Sequence, residues 1–171
     1  MKKYFWVFIT LSSLLALAMG VQAQTGFGFN SSNIAGFPTG AVELTGGGAY
    51  NPATRFVHSG GGFRCIASVQ QGPLNGCLAG QGIRWDTAAL LSSAPFKCTG
   101  AVSEPGQTAN TSANTVVLVA DFYRQGDGND ESFTAKMIVS EADLPGHPGV
   151  NVWIQGVGCG SAIVNFSRAN H

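Results

Sequence analysis

Two segments with alternating apolar residues, joined by a linker of turn-forming residues, constrain the fold of this chain most strongly. In residues 115–124 and 132–140 every second position is apolar, and the linker at 125–130 reads Gln-Gly-Asp-Gly-Asn-Asp. The apolar residues that would share one strand face are Val116, Leu118, Ala120, Phe122, Phe133, Ala135, Met137 and Val139. A period of two on both sides of such a linker predicts an antiparallel hairpin with one mostly apolar face.

The remaining chain after residue 40 continues this β-like pattern. Residues 150–155 and 162–167 read as further strands, and glycine triplets at 46–48 and 60–62 suggest bulges or bends within strands. Residues 85–91 (Trp-Asp-Thr-Ala-Ala-Leu-Leu) are the one helix candidate, of about two turns, with a capping Asp or Thr near its start. We therefore predict an all-β, mainly antiparallel fold: a single β-sandwich or barrel-like domain of about seven strands with one short helix.

The amino terminus has the three parts of a secretory signal. Lys2 and Lys3 precede an apolar run at 4–19, and Val21-Gln22-Ala23 fits a signal-peptidase site. The alternative is a retained membrane anchor, but the run is shorter than the roughly 20 apolar residues that span a bilayer. We expect residues 1–23 to be a signal peptide, 24–39 a flexible leader rich in Gly, Phe and Asn, and 40–171 the β-rich globular domain.

The charges of the chain balance, with nine Lys and Arg residues against nine Asp and Glu residues. Removal of Lys2 and Lys3 with the signal peptide leaves 148 residues (171 − 23) and a net charge of 7 − 9 = −2. A hydrophobic content of 44% argues against wholesale disorder, and no basic cluster is present that would bind nucleic acid. No second long apolar run follows, so we expect no membrane span after cleavage and a secreted or periplasmic location.

Four cysteines follow the predicted cleavage site: Cys65, Cys77, Cys98 and Cys159. An even number in an exported chain predicts two disulfides, for which three pairings exist. We prefer Cys65–Cys77 and Cys98–Cys159, since the first closes a short loop and the second ties the middle of the chain to its last strands. The alternative is a metal site, but structural zinc sites bring cysteines in close pairs, and these spacings contain none.

Oxygen-bearing side chains crowd the linker of the predicted hairpin. Asp127, Asn129 and Glu131 alternate, and Asp130 adds another carboxylate. Calcium takes six to eight oxygen ligands, so this loop is a candidate calcium site and calcium the one candidate cofactor. The alternative is a polar hairpin tip whose Asp, Asn and Gly residues simply favour turns.

A His beside a Ser on a glycine-rich segment is the pattern closest to catalysis. His58 and Ser59 precede a glycine triplet, and Asp86 or Asp121 could complete a set of catalytic groups. Neighbouring residues on a strand face opposite ways, however, and the G-x-S-x-G elbow of many hydrolases is absent. A surface role for His58 is the alternative.

A polar–aromatic–polar row is the candidate binding site. Asn151, Trp153 and Gln155 alternate along one predicted strand and would share a face. Ring stacking combined with hydrogen bonding from flanking amides suits a sugar. The alternative is that Trp153 packs in the core.

Three stretches resemble a group of uncharacterised exported bacterial proteins: residues 58–65, 82–87 and 126–132. The resemblance spans most of 40–167 and implies no activity or site residue. From the sequence we expect a secreted or cell-envelope protein that binds a ligand, glycan or protein partner without catalysis. The alternatives are a small secreted hydrolase that uses His58 with a carboxylate, and a self-assembling extracellular structural protein.

Overall fold

A computed structural model describes residues 24–125 and 132–168, and every regular element in these two ranges is a β-strand. In chain order the strands are β1 (Thr25–Gly36), β2 (Ala41–Asn51), β3 (Phe56–Ala67), β4 (Arg84–Leu91), β5 (Ser93–Phe96), β6 (Gln107–Asn110), β7 (Thr115–Tyr123), β8 (Ser132–Ser140), β9 (Val152–Ile154), β10 (Gly158–Gly160) and β11 (Ile163–Arg168). The all-β, mainly antiparallel fold predicted from the sequence is confirmed. None of the described segments forms a helix with the length and apolar character needed to cross a bilayer.

The strands form one nine-stranded and one two-stranded sheet. The large sheet has the order β10-β9-β8-β7-β4-β3-β2-β1-β11, and β10 also pairs with β1. One edge of β1 is thus shared, since residues 25–30 pair with β11 while Ala35 and Gly36 pair with β10. This second pairing closes a ring of eight strands, which gives the fold a barrel-like form.

The predicted hairpin is present as β7 and β8, which pair from Thr115 with Ser140 to Tyr123 with Ser132. The inward side chains of β7, among them Leu118 and Phe122, are fully buried. They belong to the main core inside the ring of strands, together with the largest buried side chain, Trp85. The alternating pattern therefore identified a real core face.

The helix predicted at residues 85–91 is wrong, because this segment lies within β4 and pairs with β7. Trp85 is fully buried and its Nε1 donates a hydrogen bond to the carbonyl oxygen of Thr45 at 2.9 Å. The register shifts between Thr87 and Ala89, which marks a bulge that breaks the period of two. Tertiary pairing outweighs the helix propensity of the Ala-Ala-Leu-Leu run, as it commonly does in short segments.

The flexible leader predicted at residues 24–39 is also wrong, because most of it forms β1, which pairs with three other strands. Phe27 and Phe29 are each 6% exposed and point into the main core. The Phe27 ring lies 5.9 Å from that of Tyr50, and the Phe29 ring lies 6.0 Å from that of Trp85. Glycine in the alternate positions hid the period of two, since it reads as neither apolar nor polar.

The two-stranded sheet β5–β6 forms a second layer over the outer side of the large sheet. Val117, Ile138 and Trp153 are register neighbours on β7, β8 and β9, and they point away from the main core. Ala94, Phe96 and Ala109 of the small sheet pack against them in a separate buried cluster. Because this layer covers them, β7 and β8 are apolar on both faces rather than one.

The preferred disulfide pairing is confirmed. Cys65 and Cys77 are bonded, with Cα atoms 6.3 Å apart, and Cys98 and Cys159 are bonded, with Cα atoms 4.9 Å apart. The second disulfide fastens the segment after β5 to β10, and so holds the second layer against the large sheet. Two disulfides are compatible with an oxidising compartment outside the cytoplasm.

Candidate functional site

The structure does not bring the predicted catalytic groups into one hydrogen-bonded set. His58 is exposed, whereas the hydroxyl of Ser59 is hydrogen-bonded to that of Thr87 on the neighbouring strand. Asp86 and Asp121 are direct register neighbours on β4 and β7. Alternation along β3 separates the imidazole of His58 from the hydroxyl of Ser59, as the strand geometry predicts.

Both carboxylates of that pair are engaged with other side chains. Asp86 forms an ion pair with Arg84, and Asp121 accepts a hydrogen bond from the Thr134 hydroxyl. Asp86 is also half exposed, with 52% of its side chain accessible. The pair therefore lies on an open sheet face rather than in a cleft, where catalytic groups normally lie.

The predicted binding row is not an open platform, because Trp153 is only 3% exposed. The Asn151 amide binds the backbone of Ala162 through both its oxygen and its nitrogen, at 2.7 and 3.1 Å. The Gln155 side-chain oxygen accepts a hydrogen bond from the backbone N–H of Lys136 at 3.2 Å. The two amides thus hold the ends of β9 in place, and only the edge of Trp153 and part of Gln155 reach a cavity.

The predicted calcium ligands Asp127, Asn129, Asp130 and Glu131 lie outside the described residues. Within the described ranges, one group of potential metal ligands has its ligand atoms within 4.8 Å of one another: Cys98, Glu104 and His147. Cys98 is in a disulfide, so its sulfur has no thiolate to offer a metal ion. The remaining carboxylate and imidazole lie side by side, with Glu104 Oε1 and His147 Nε2 separated by 3.5 Å.

A cavity of about 420 Å³ lies beside the second layer, and we call it the lysine cavity. Its lining residues are Phe37, Pro95, Phe96, Lys97, Gly100, Gly106, Lys136, Trp153 and Gln155. The volume falls within the range of about 300–1,000 Å³ that small-molecule sites occupy, and the cavity is a shallow one, widely open to solvent. A mostly apolar lining with a few polar groups is also typical of such sites.

Aromatic rings form the walls of the lysine cavity. The rings of Phe96 and Trp153 lie 5.9 Å apart at an angle of 57°, and Trp153 Nε1 donates a hydrogen bond to the Lys97 carbonyl at 2.8 Å. Phe37 is held by its backbone N–H, which donates to Val157 at 3.0 Å. The Phe96–Trp153 contact and the indole hydrogen bond position these two rings, and the backbone bond places the segment that carries Phe37.

Gly100 closes the wall formed by the segment after β5. A Cβ atom at this position would lie 2.4 Å from the Phe37 ring, and its φ of +72° is in the left-handed region. Both facts require glycine here, because the backbone rests directly on the ring. The segment therefore packs closely against Phe37 and cannot accept a larger residue at this point.

The two cations of the cavity are half-buried lysines that arrive from different strands. Lys97 follows β5 and donates from Nζ to the Ala101 carbonyl at 3.0 Å, while Lys136 lies on β8. They are the only lysines of the chain after Lys3.

Sequence reasoning missed this site because 39 positions separate the two residues (136 − 97), and no periodic pattern links them. The scarcity of lysine was the one signal available.

Glu104 organises the segment that forms one wall of the cavity. Its carboxylate accepts hydrogen bonds from the backbone N–H groups of Cys98, Thr99 and Gly100 and from the Thr99 hydroxyl, at 2.5–3.0 Å. Burial alone would raise the pKa of Glu104, but these hydrogen bonds outweigh it and hold the pKa below its ordinary value. The ionised carboxylate therefore stabilises the wall.

A second cavity, of about 380 Å³, opens on the outer face over β1, β2 and β3. Its charged lining residues are Glu43 and Arg64, which are register neighbours of opposite charge. Phe63 is the one aromatic residue in its lining. The lysine cavity differs in having three aromatic residues and two cations with no acidic residue in its lining. It is therefore the stronger candidate for a binding site.

Comparisons of the chain with protein-family models, with curated proteins and with solved structures found no significant match. The function of the chain is therefore inferred from its fold and from the geometry of its cavities. Together they define a disulfide-linked, all-β domain with a mainly apolar cavity that is lined in part by two lysines.

Proposed function

We propose that this chain is a non-catalytic binding protein that acts outside the cytoplasm, in the cell envelope or beyond it, and takes its ligand in the lysine cavity. The observation that carries the proposal is a cavity of about 420 Å³ with a mainly apolar lining, in which Phe37 is half-buried and two lysines and Gln155 supply polar groups. Aromatic surface supplies most of the free energy of binding in such sites, and a few polar groups orient the ligand.

The positions of the polar groups favour binding over hydrolysis. A nucleophile needs a base within hydrogen-bonding distance, and the Ser59 hydroxyl is instead bonded to Thr87. In the lysine cavity, by contrast, Gln155, Lys97 and Lys136 contribute polar groups to a mainly apolar lining. A glycan or protein partner at the cell surface would be held through a group that enters this cavity.

Indole N–H signals in a proton–nitrogen NMR spectrum test the proposal. The chain after residue 23 has two tryptophans, and Trp153 borders the lysine cavity while Trp85 lies in the main core. Titration with 2-naphthoate and with its neutral analogue 2-naphthamide should shift the Trp153 indole signal and leave that of Trp85 in place. If neither compound moves the Trp153 signal, the proposed function is wrong.

A blocking variant identifies the site of binding. Gly106 lines the cavity, has no atom within 4 Å of a Cβ built on it, and lacks a positive φ, so Gly106→Phe adds a ring without displacing the backbone. We expect this variant to keep the wild-type melting temperature and to lose the titration shift. Val102→Phe is the matched control, because Val102 is fully exposed and lies outside the cavity lining.

A further inference from the structure

We infer that the lysine cavity selects an anionic ligand with a flat apolar body, of the class of aromatic carboxylates; this inference rests on the function proposed above. The lysine charge of the chain is concentrated at this cavity. After residue 23 the chain carries a net charge of −2 and has only two lysines, Lys97 and Lys136. Both of them line one cavity. A net-acidic chain thus concentrates all its lysine charge at a single site.

The second step is that these charges are available to a ligand. Among the described residues, neither the ion pair of Arg84 with Asp86 nor the contact of His147 with Glu104 involves a lysine. The nearest carboxylate along the chain, that of Glu104, is saturated by backbone N–H groups and the Thr99 hydroxyl. Lys97 and Lys136 are half-buried as residues, so their ammonium groups lie close to the apolar lining and can pair with an anion that enters it.

The third step sets the size and shape of the ligand. Two lysines are too few to hold a polyanion such as nucleic acid, whose binding needs many phosphate contacts. Phe37 is the half-buried ring of the lining, whereas Phe96 and Trp153 are each only 3% exposed and present a ring edge at most, so a planar apolar body would stack mainly on Phe37. Gln155 can add a donor, since its primary amide has two N–H bonds and its oxygen already accepts from Lys136. A planar ring system that bears one carboxylate satisfies both requirements.

The experiment compares 2-naphthoate with 2-naphthamide, which have the same ring system but differ in charge. By isothermal titration calorimetry at low salt, we expect the wild-type protein to bind the naphthoate about tenfold more tightly, since two half-buried cations each contribute a modest free energy. The preference should shrink at about 0.5 M salt, where screening shortens the range of charge interactions. Equal affinities at low salt would overturn the inference.

Substitution of the lysines tests whether the preference for 2-naphthoate over 2-naphthamide arises in the lysine cavity. The double variant Lys97→Gln/Lys136→Gln should bind the two compounds with equal affinity, close to that of the wild type for the amide. Arg64→Gln, which removes a cation from the other cavity, should keep the wild-type preference. Melting temperatures confirm folding, because Lys97 also donates to Ala101. A tenfold preference retained by the double variant would contradict the inference.

The two proposals fail in different ways. If both compounds bind with equal affinity to the wild type and Gly106→Phe abolishes both, the lysine cavity is a binding site that does not select anions. If neither compound binds, the proposed function and the anionic ligand class are both wrong.

Discussion

Single glycines decide how the buried tryptophan of the main core is accommodated. A Cβ atom on Gly46 would lie 2.7 Å from the Trp85 ring and 2.5 Å from the carbonyl oxygen of Gly60, and the φ of Gly46 is +157°. Gly28 lies on the neighbouring strand and has room for a side chain. A Cβ atom on Gly28 would lie 3.9 Å from the nearest atom, which is an ordinary van der Waals distance. Glycine is therefore required at Gly46 by packing and is not required at Gly28.

Alanine substitutions at these two positions should have opposite effects on stability. We expect Gly46→Ala to lower the free energy of unfolding by about 1–3 kcal/mol, because the added methyl group overpacks the core against Trp85. Gly28→Ala should raise it by up to about 1 kcal/mol, since alanine reduces the freedom of the unfolded chain. Urea unfolding followed by tryptophan fluorescence measures both. A larger loss at Gly28 than at Gly46 would show that the strand packing is misassigned.

At the level of residues, the sequence was a better guide to which cysteines pair than to which side chains are exposed. Cys65–Cys77 and Cys98–Cys159 were the preferred pairing among three possible ones, and the structure has both disulfides. Trp153 was expected on an open face, yet the second layer buries it. A strand sequence shows which residues share a face, but not whether another sheet covers that face.

At the level of elements, the β7–β8 hairpin and the glycine-interrupted strands β2 and β3 were predicted correctly, and β1 and β4 were not. The β7–β8 hairpin has an unbroken register, so its period of two was visible. In β4 a register shift and a run of alanine and leucine imitated a helix, and in β1 glycine masked the alternation. Pairing with distant strands formed both elements, and such long-range contacts are not encoded in local propensity.

The segment after β5 is an irregular element whose stability depends on one carboxylate. Because the folded-state pKa of Glu104 is lowered, the ionised form contributes stability at pH values above its unfolded value of 4.5. That contribution is lost as the pH falls from 4.5 through the lower folded-state pKa. Glu104→Gln should therefore lower the melting temperature at pH 7, since an amide cannot accept with both of its terminal atoms.

The difference in melting temperature between the wild type and Glu104→Gln should shrink as the pH falls below 4.5, because the unfolded wild-type chain then takes up a proton at this carboxyl. Differential scanning calorimetry at a series of pH values measures this difference. Glu141→Gln is a suitable control, because Glu141 is exposed and lies outside the segment. A difference that stays constant from pH 7 to pH 3 would mean that the Glu104 charge does not stabilise the wall of the cavity.

At the scale of the whole molecule, closure of the strand ring could not have been predicted from the sequence. It depends on β1 pairing with β10, which joins residues 35–36 to 158–159, at opposite ends of the described chain. The lysine cavity depends on the same closure, since Phe37 follows β1 directly and Trp153 precedes β10. Contacts between such distant segments carry no local signal, so the class of fold was accessible and the site was not.

Both disulfides and the removal of residues 1–23 are expected consequences of export, and one mass measurement tests them together. Produced with its own amino terminus, the protein should be recovered outside the cytoplasm with Gln24 as its first residue. Its intact mass should be about 4 Da below that of the reduced form, because each disulfide formed removes two hydrogens. The variant Cys98→Ala/Cys159→Ala should differ by about 2 Da, since it keeps only Cys65–Cys77. Full-length protein in the cytoplasm with four alkylatable thiols would contradict export, and with it the setting in which this fold is stabilised by its disulfides.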